Sequence, residues 1–196
     1  MIYLTKIRLD VGICRKRNIQ DAYALHRLVY SFFPREKNAG RFLYADLGSA
    51  AGGRDLLILS GILPELPEEI ASASTELSDR FFQFSDFNFK VLLNPVRKDG
   101  QTGKRLPITG QLPLLQWFAS HAEKWGFTVD VNTLSVRTLP SVNFIKNGGE
   151  CRFHRAEFCG TLHVNAPEIF RRYAEHGIGH GKAFGFGLLQ LVPIQK

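Results

Sequence analysis

Two successive copies of the order strand, helix, hairpin, helix and strand predict an α+β protein with two tandem ferredoxin-like (RRM-like) domains. A polar, glycine-punctuated stretch from Asn94 to Arg105 separates the copies. We therefore expect a first domain at residues 1–96, a basic loop or linker at 97–110, and a second domain at 111–196 that carries a glycine-rich segment. Because such folds host many functions, the fold alone decides nothing about activity.

The first half begins with charged residues at alternate positions, which predict a strand near 2–10. A signal peptide would need a continuous apolar run here, so no export is expected. A helix is predicted near 18–32, closed by Pro34. Strand-like runs follow at 41–47 and 55–60, and apolar residues alternate through 82–93 with a turn or bulge at Ser85-Asp86.

The second half opens with apolar residues at helical spacing, which predict a helix that ends at Gly126. Strands are expected near 128–139 and 151–164, with a turn at Asn147-Gly148-Gly149. Pro167 suits a first helical turn, so a short helix is predicted at 168–175 and ends at Gly177. The final strand is expected at 188–193.

Composition and charge narrow the class of protein. The chain has a formal net charge of +7 and a pI near 9.5, which favour a polyanionic partner such as a nucleic acid. No apolar run approaches the ~20 residues of a bilayer span, so no membrane partner is expected. The three cysteines, Cys14, Cys151 and Cys159, lack zinc-site spacing and an even count, which fits a reducing cytoplasm.

One edge of the first predicted helix gathers side chains that suit work on RNA. At about 100° per residue, Tyr23, His26, Arg27 and Tyr30 lie beside the apolar stripe. An imidazole can give or take a proton near neutral pH, and RNA supplies its own 2′-hydroxyl nucleophile, so no metal or cofactor is required. From the residues alone, His26 could equally be a boundary histidine bonded to the backbone, and Tyr23 could be simply packed.

Basic residues form three groups that could contact phosphates. They lie in the central loop, on the first arm of the predicted hairpin and on its second arm, and Lys182 is a further candidate outside these groups. Solvated loops also carry such residues, so each group alone is weak evidence. Together with Arg27, the candidate RNA-binding residues are Arg97, Lys98, Lys104, Arg105, Arg137, Lys146, Arg152, Arg155 and Lys182.

A glycine-rich segment precedes the last predicted strand. It follows a helix and lacks a G-K-[ST] ending, so it does not match a nucleotide-binding loop. Glycines permit a close approach of the backbone to another chain, but a purely structural turn fits equally well. The segment's glycines are Gly177, Gly179, Gly181, Gly185 and Gly187.

Several motifs in a fixed order resemble the CasE-type CRISPR repeat endoribonucleases, a subunit family of the type I-E Cascade complex. The resemblance covers essentially the whole chain. It begins with Ala22-Tyr23-Ala24-Leu25-His26 leading to Phe32-Phe33-Pro34. It continues through residues 89–96, 103–107, 117, 122–127 and 158–164, and ends with the glycine-rich run at 177–189.

The resemblance implies two ferredoxin-like domains that bind the hairpin of the repeat RNA and cut the precursor at its 3′ base without metal. The products would carry a cyclic phosphate and a 5′-hydroxyl, and the enzyme would keep the mature crRNA as a Cascade subunit. Backbone and Cas-five-like subunits would be partners, and target DNA would be met only through the complex. His26 falls on the family's catalytic histidine, Tyr23 on its accompanying tyrosine, and Lys104 and Arg105 on its basic loop.

Two positions depart from the family pattern, and two other functions stay open. Phe186 stands where relatives often have cysteine, which we interpret as a packing change, and His180 occupies a variable position without an expected catalytic role. A noncatalytic RNA-binding or scaffold subunit is the first alternative. A general basic RNA-binding domain is the second, although the chain lacks the RNP-type aromatic motif.

Overall fold

A computed structural model describes residues 1–33, 41–48, 53–146 and 149–195, apart from the side chain of Lys146. Strands and helices alternate along the described chain. In chain order they are β1 (Tyr3–Leu9), α1 (Val11–Lys16), α2 (Ala22–Ser31), β2 (Leu43–Gly48), β3 (Arg54–Ser60), β4 (Ala71–Glu76), β5 (Asp86–Leu93), β6 (Val96–Lys98), β7 (Arg105–Pro107), α3 (Gln111–Ala122), β8 (Phe127–Val129), β9 (Ser135–Lys146), β10 (Gly149–Val164), α4 (Pro167–His176) and β11 (Gln190–Pro193). Short 3₁₀ helices lie at Asp79–Gln83, Glu123–Trp125 and Lys182–Phe184.

Two antiparallel sheets confirm the predicted α+β class. The first sheet has the strand order β2-β3-β1-β4, and the second has β11-β5-β10-β8 with β9 also paired to β10. Without the inserted strands β6, β7 and β9, the second unit consists of β5, β8, β10 and β11. If the strands are numbered along the chain within each unit and the second sheet is read from β8, both sheets have the order second, third, first, fourth. This is the order expected when a ferredoxin-like unit places its two central strands side by side. β6 and β7 form a separate two-stranded hairpin.

Strand pairing divides the chain earlier than the predicted boundary at residue 96. β5 pairs with β10 through Ala156↔Leu93 to His163↔Asp86 and with β11 through Gln190↔Lys90 to Pro193↔Phe87. It is therefore the first strand of the second sheet, although the prediction put it in the first domain. The predicted boundary rests on the composition of the loop after residue 94. The sheet that a strand joins depends instead on long-range pairing, which local composition does not show. The domain limits themselves stay a prediction.

Local capping explains why the helix predicted near 18–32 begins only at Ala22, as α2, and why α1, which was not predicted, is a separate helix before it. The carboxylate of Asp10 accepts a hydrogen bond from Ile13 N at 2.7 Å and starts α1, and Asp21 accepts one from Ala24 N at 2.7 Å and starts α2. Between them Asn18 has a φ of 51°, which no helix residue adopts. The predicted stop at Pro34 lies outside the described residues, and α2 ends at Ser31.

Three strand predictions differ from the structure. β4 was not predicted, because all six of its residues are exposed and show no apolar alternation. The strand predicted at 82–93 begins only at Asp86, since residues 79–83 form a 3₁₀ helix. The strand predicted at 128–139 is two strands, β8 and β9, and residues between them turn around Asp130. The predicted hairpin turn includes residues 147–148, which lie outside the described chain.

Each half has its own core, and a third cluster joins them. The first core packs α1 and α2 on the first sheet, and the second packs α3 and α4 on the second sheet. At the junction Leu188, just after the glycine-rich run, packs with Leu43, Ala45 and Leu59 of the first sheet. The halves also meet at α2, where the candidate residues lie, because Phe144 stacks on Tyr23 and Phe184 contacts His26.

Candidate active site

His26 is fixed by a hydrogen bond that crosses the junction. Its Nδ1 lies 2.7 Å from the carbonyl oxygen of Ala183, in the 3₁₀ helix of the glycine-rich segment. A carbonyl only accepts, so Nδ1 carries the proton and donates it. A neutral ring in this tautomer has its lone pair on Nε2. The half-buried imidazole therefore has a set orientation and a defined nitrogen for proton exchange.

Aromatic rings surround this imidazole and include the predicted partner. Tyr23 stacks on His26 with ring centroids 5.9 Å apart and planes 17° apart, and Tyr30 lies 4.2 Å from it on the next turn. Phe184 contacts the imidazole from the second half at 4.9 Å. Phe144 of β9 stacks on Tyr23 at 5.9 Å and lies 4.5 Å from Phe184. The structure thus groups Tyr23, His26 and Tyr30 as predicted.

Positive charges collect next to the imidazole on the glycine-rich segment. Lys182 precedes Ala183, and burial, followed by the nearby charge of Arg41, lowers the pKa of its ammonium group. Burial, followed by the charges of Arg105 and Lys182, lowers the pKa of exposed His180. Like charges held this close favour an anion between them. Arg105 and Lys182 of the predicted RNA-binding set therefore both act on His180.

The other cations of that set are dispersed. Arg97, Lys98 and Lys104 are exposed on or next to the β6–β7 hairpin, where Lys98 pairs in register with Arg105. Arg27 points away from the ring cluster and lines a separate groove with Arg17.

Strands β9 and β10 carry the remaining cations. Arg137 binds Glu157 at 2.8 Å and lies seven residues from Phe144 along β9, about 23 Å at strand rise. Arg152 is exposed on β10, and Arg155 is half-buried in a groove beside Phe184. The side chain of Lys146 lies outside the described part of the chain.

The five glycines of the segment have a structural role. All five have φ between 70° and 89°, a region that L side chains rarely adopt. At Gly187 a Cβ would lie 2.2 Å from the carbonyl oxygen of Ile178. Phe186 is buried and contacts Phe153 at 5.5 Å, in keeping with a packing role. The segment therefore has one specific path, and this path puts the Ala183 carbonyl opposite His26.

Within residues 1–33, 41–48, 53–146 and 149–195, no group of three or more His, Cys, Asp or Glu side chains is arranged to hold a metal ion. No helix in those ranges has both the length and the apolar character needed to cross a bilayer.

Comparison with known proteins identifies a family that matches this chain. A family model described as CRISPR associated protein matches residues 2–193. The chain belongs to this family. Among its curated relatives, the CRISPR-associated endoribonuclease Cse3 of Thermus thermophilus is 25% identical over 98% of this chain and 100% of the relative. The Cascade subunit CasE of Escherichia coli is 24% identical over the same shares.

A solved structure supports the fold of this CRISPR-associated protein. The endoribonuclease Cse3 bound to a 19-nucleotide RNA superposes with a TM-score of 0.79, covers 98% of this chain and 100% of its own, and is 23% identical. The likeness extends over both sheets, so the tandem ferredoxin-like arrangement predicted from the sequence is confirmed.

Sequence reasoning missed three parts of the site in this CRISPR-associated protein. The Ala183 carbonyl is a backbone group, so its residue type gives no sign of its role. Arg41 was not singled out, because it begins a run predicted as a strand and only the folded chain brings it near Lys182. Phe184 could have been found from its place in the glycine-rich run, although its contact with His26 spans 158 positions and is not visible in local spacing.

Proposed function

We propose that this chain is a metal-independent endoribonuclease that binds the hairpin of a CRISPR repeat transcript and cuts the precursor at the hairpin's 3′ base. The observation that carries the proposal is the imidazole of His26, oriented at 2.7 Å by the carbonyl of Ala183, the residue that follows Lys182 in the chain. Its relatives are named an endoribonuclease and a Cascade subunit, which supports the same reaction and assembly. After cutting, the chain keeps the mature crRNA as a Cascade subunit in the cytoplasm.

The reaction uses a nucleophile that belongs to the RNA. The 2′-hydroxyl loses its proton and its oxygen bonds to the neighbouring phosphorus, while the bond from phosphorus to the 5′-oxygen breaks and that oxygen takes a proton. The products are a 2′,3′-cyclic phosphate and a 5′-hydroxyl. Nε2 of His26 exchanges one of these protons, because Nδ1 stays bound to Ala183. Lys182 and Arg105 stabilise the charge on the pentacoordinate phosphate.

Tyr23 has a positioning role in this proposal. Its ring stacks on the imidazole and on Phe144 of the other half, so it limits rotation of His26 about its side-chain bonds. A hairpin stem would lie across the basic surface of the β6–β7 hairpin, where Lys104 and Arg105 are exposed. The dispersed cations would contact more distant phosphates.

His26→Ala tests the catalytic assignment. We expect repeat RNA to bind almost normally and to be cut at least about a hundredfold more slowly, as for other lost general acids or bases. Single-turnover cleavage of labelled RNA in EDTA measures the rate. His176→Ala is the matched control, since His176 also donates Nδ1 to a backbone carbonyl, that of Arg172 at 2.9 Å, but is exposed at the end of α4. Equal rates for the two variants would contradict the role of His26.

A modified substrate separates the enzyme from a noncatalytic subunit. RNA with a 2′-deoxy nucleotide on the 5′ side of the cut should bind but stay intact, because it lacks the nucleophile. If the wild-type protein cuts this RNA, the mechanism is wrong. If it binds natural repeat RNA in EDTA and leaves it whole, the chain is a scaffold subunit instead.

A further inference from the structure

An open groove lies beside Phe184, whose ring also contacts the imidazole. Its volume is about 330 Å³, within the range of about 300–1,000 Å³ typical of ligand sites. The N-terminal end of α2, the ends of β2 and β3, and the strands β9 and β10 all contribute to it. Phe184 lines the groove and its ring centroid is 4.9 Å from that of His26, so the groove begins next to the proposed cut.

The charges in this groove are balanced, which argues against a phosphate as its main occupant. Asp46 pairs with Arg54, and the carboxylate of Asp21 accepts from Ala24 N at 2.7 Å. These two carboxylates would repel an anion placed between them. Arg155 has no hydrogen bond or ion pair to another side chain in the described part of the protein, so one cation is available at the groove's edge.

The remaining lining groups suit a nucleobase. The amides of Gln20 and Asn143 offer donors and acceptors together, and neither makes a side-chain hydrogen bond within residues 1–33, 41–48, 53–146 and 149–195. Phe184 and Phe186 provide aromatic surface. An unpaired base needs this combination, because it stacks through its face and forms hydrogen bonds through its edge.

We propose that this groove binds the base of the unpaired nucleotide next to the cleaved bond. Phe184 stacks on the base, Gln20 and Asn143 bind its edge, and Arg155 contacts the adjoining phosphate. The inference rests on the proposed RNA substrate and adds a selectivity that the hairpin itself does not supply. A nucleotide held beside Phe184 places its phosphodiester near His26, because the same ring contacts the imidazole.

Abasic substitution tests the proposal with the wild-type protein alone. Each nucleotide that flanks the cut is replaced in turn by an abasic ribose, and the cleavage rate is compared with that of the natural hairpin. The RNA whose abasic position is the unpaired nucleotide should be cut about tenfold more slowly, the size of a lost stacking contact. If both are cut as fast as the natural RNA, no base is bound in the groove, although the endonuclease function would stand.

A double variant assigns the effect to the groove. Gln20→Leu/Asn143→Leu should lower the rate on natural RNA about tenfold and have no further effect on the sensitive abasic RNA. Gln116→Leu, at an exposed glutamine of α3, is the control and should change neither rate. An equal loss on natural and abasic RNA would overturn the assignment. The affinity for 2′-deoxy RNA, measured with the same substitutions, tests binding in the groove even if the chain cuts no RNA. A lack of cutting would contradict the proposed function and not the base-binding groove.

Discussion

The two ferredoxin-like units share one strand order but differ in how their third and fourth strands are connected. In the first unit β3 leads to β4 through residues 61–70, which contain no helix. In the second unit α4 and the glycine-rich segment join β10 to β11. This longer connection reaches α2 of the first unit and supplies Ala183 to His26. The comparison teaches that the connection, and not the shared sheet, locates the chemistry.

The largest predicted effect is a difference in stability between substitutions at one glycine from each connection. Gly187→Ala should destabilise the protein by about 2–4 kcal/mol, because it adds left-handed strain to a 2.2 Å overlap with Ile178 O. Gly61→Ala should change stability by less than about 1 kcal/mol, since nothing lies within 4 Å of its Cβ. Chemical unfolding measures both. Similar losses would mean that the two connections are equally constrained.

A pair of arginines tests whether the longer connection faces RNA. Arg105 lies near His180, whereas Arg137 binds Glu157 on the sheet. Arg105→Ala should lower the slope of log affinity against log salt by about one, because one phosphate contact is lost. Arg137→Ala should change it less. Affinities for 2′-deoxy repeat RNA at several salt concentrations provide the slopes, and a larger change for Arg137 would place the RNA on the sheet.

The smallest predicted effect is on the pH dependence of RNA affinity when His180 is replaced. Burial and the charges of Arg105 and Lys182 lower its pKa in the free protein, so the ring is mainly neutral at neutral pH. Bound phosphates favour the charged ring and raise that pKa, so RNA binding takes up a proton and affinity rises as pH falls. His180→Asn should remove a few-fold of this rise between about pH 8 and pH 6. Titrations at both pH values check it, and an unchanged profile would place His180 away from the phosphates.

Local patterns predicted one side of the site, but they could not identify the groups that face it. Helical spacing placed Tyr23, His26 and Tyr30 on one edge of α2, because residues three and four apart share a helix face. The partners Ala183 and Phe184 lie more than 150 positions away, and no local period links them to His26.

Local patterns likewise predicted some strands of the fold and missed others. Apolar alternation identified β1 and β10, but it could not reveal β4, which buries nothing. Nor could it assign β5 to the second sheet, since that depends on pairing with β10 and β11.

The hydrogen bond between His26 and Ala183 also has a consequence for synthesis of the chain. A nascent chain that has emerged only as far as the first sheet already contains the imidazole, but the group that orients it has not yet been made. The ring gains its fixed direction only when α4 and the residues after it have folded against α2. A product truncated before residue 183 would therefore keep the histidine and leave it without this constraint.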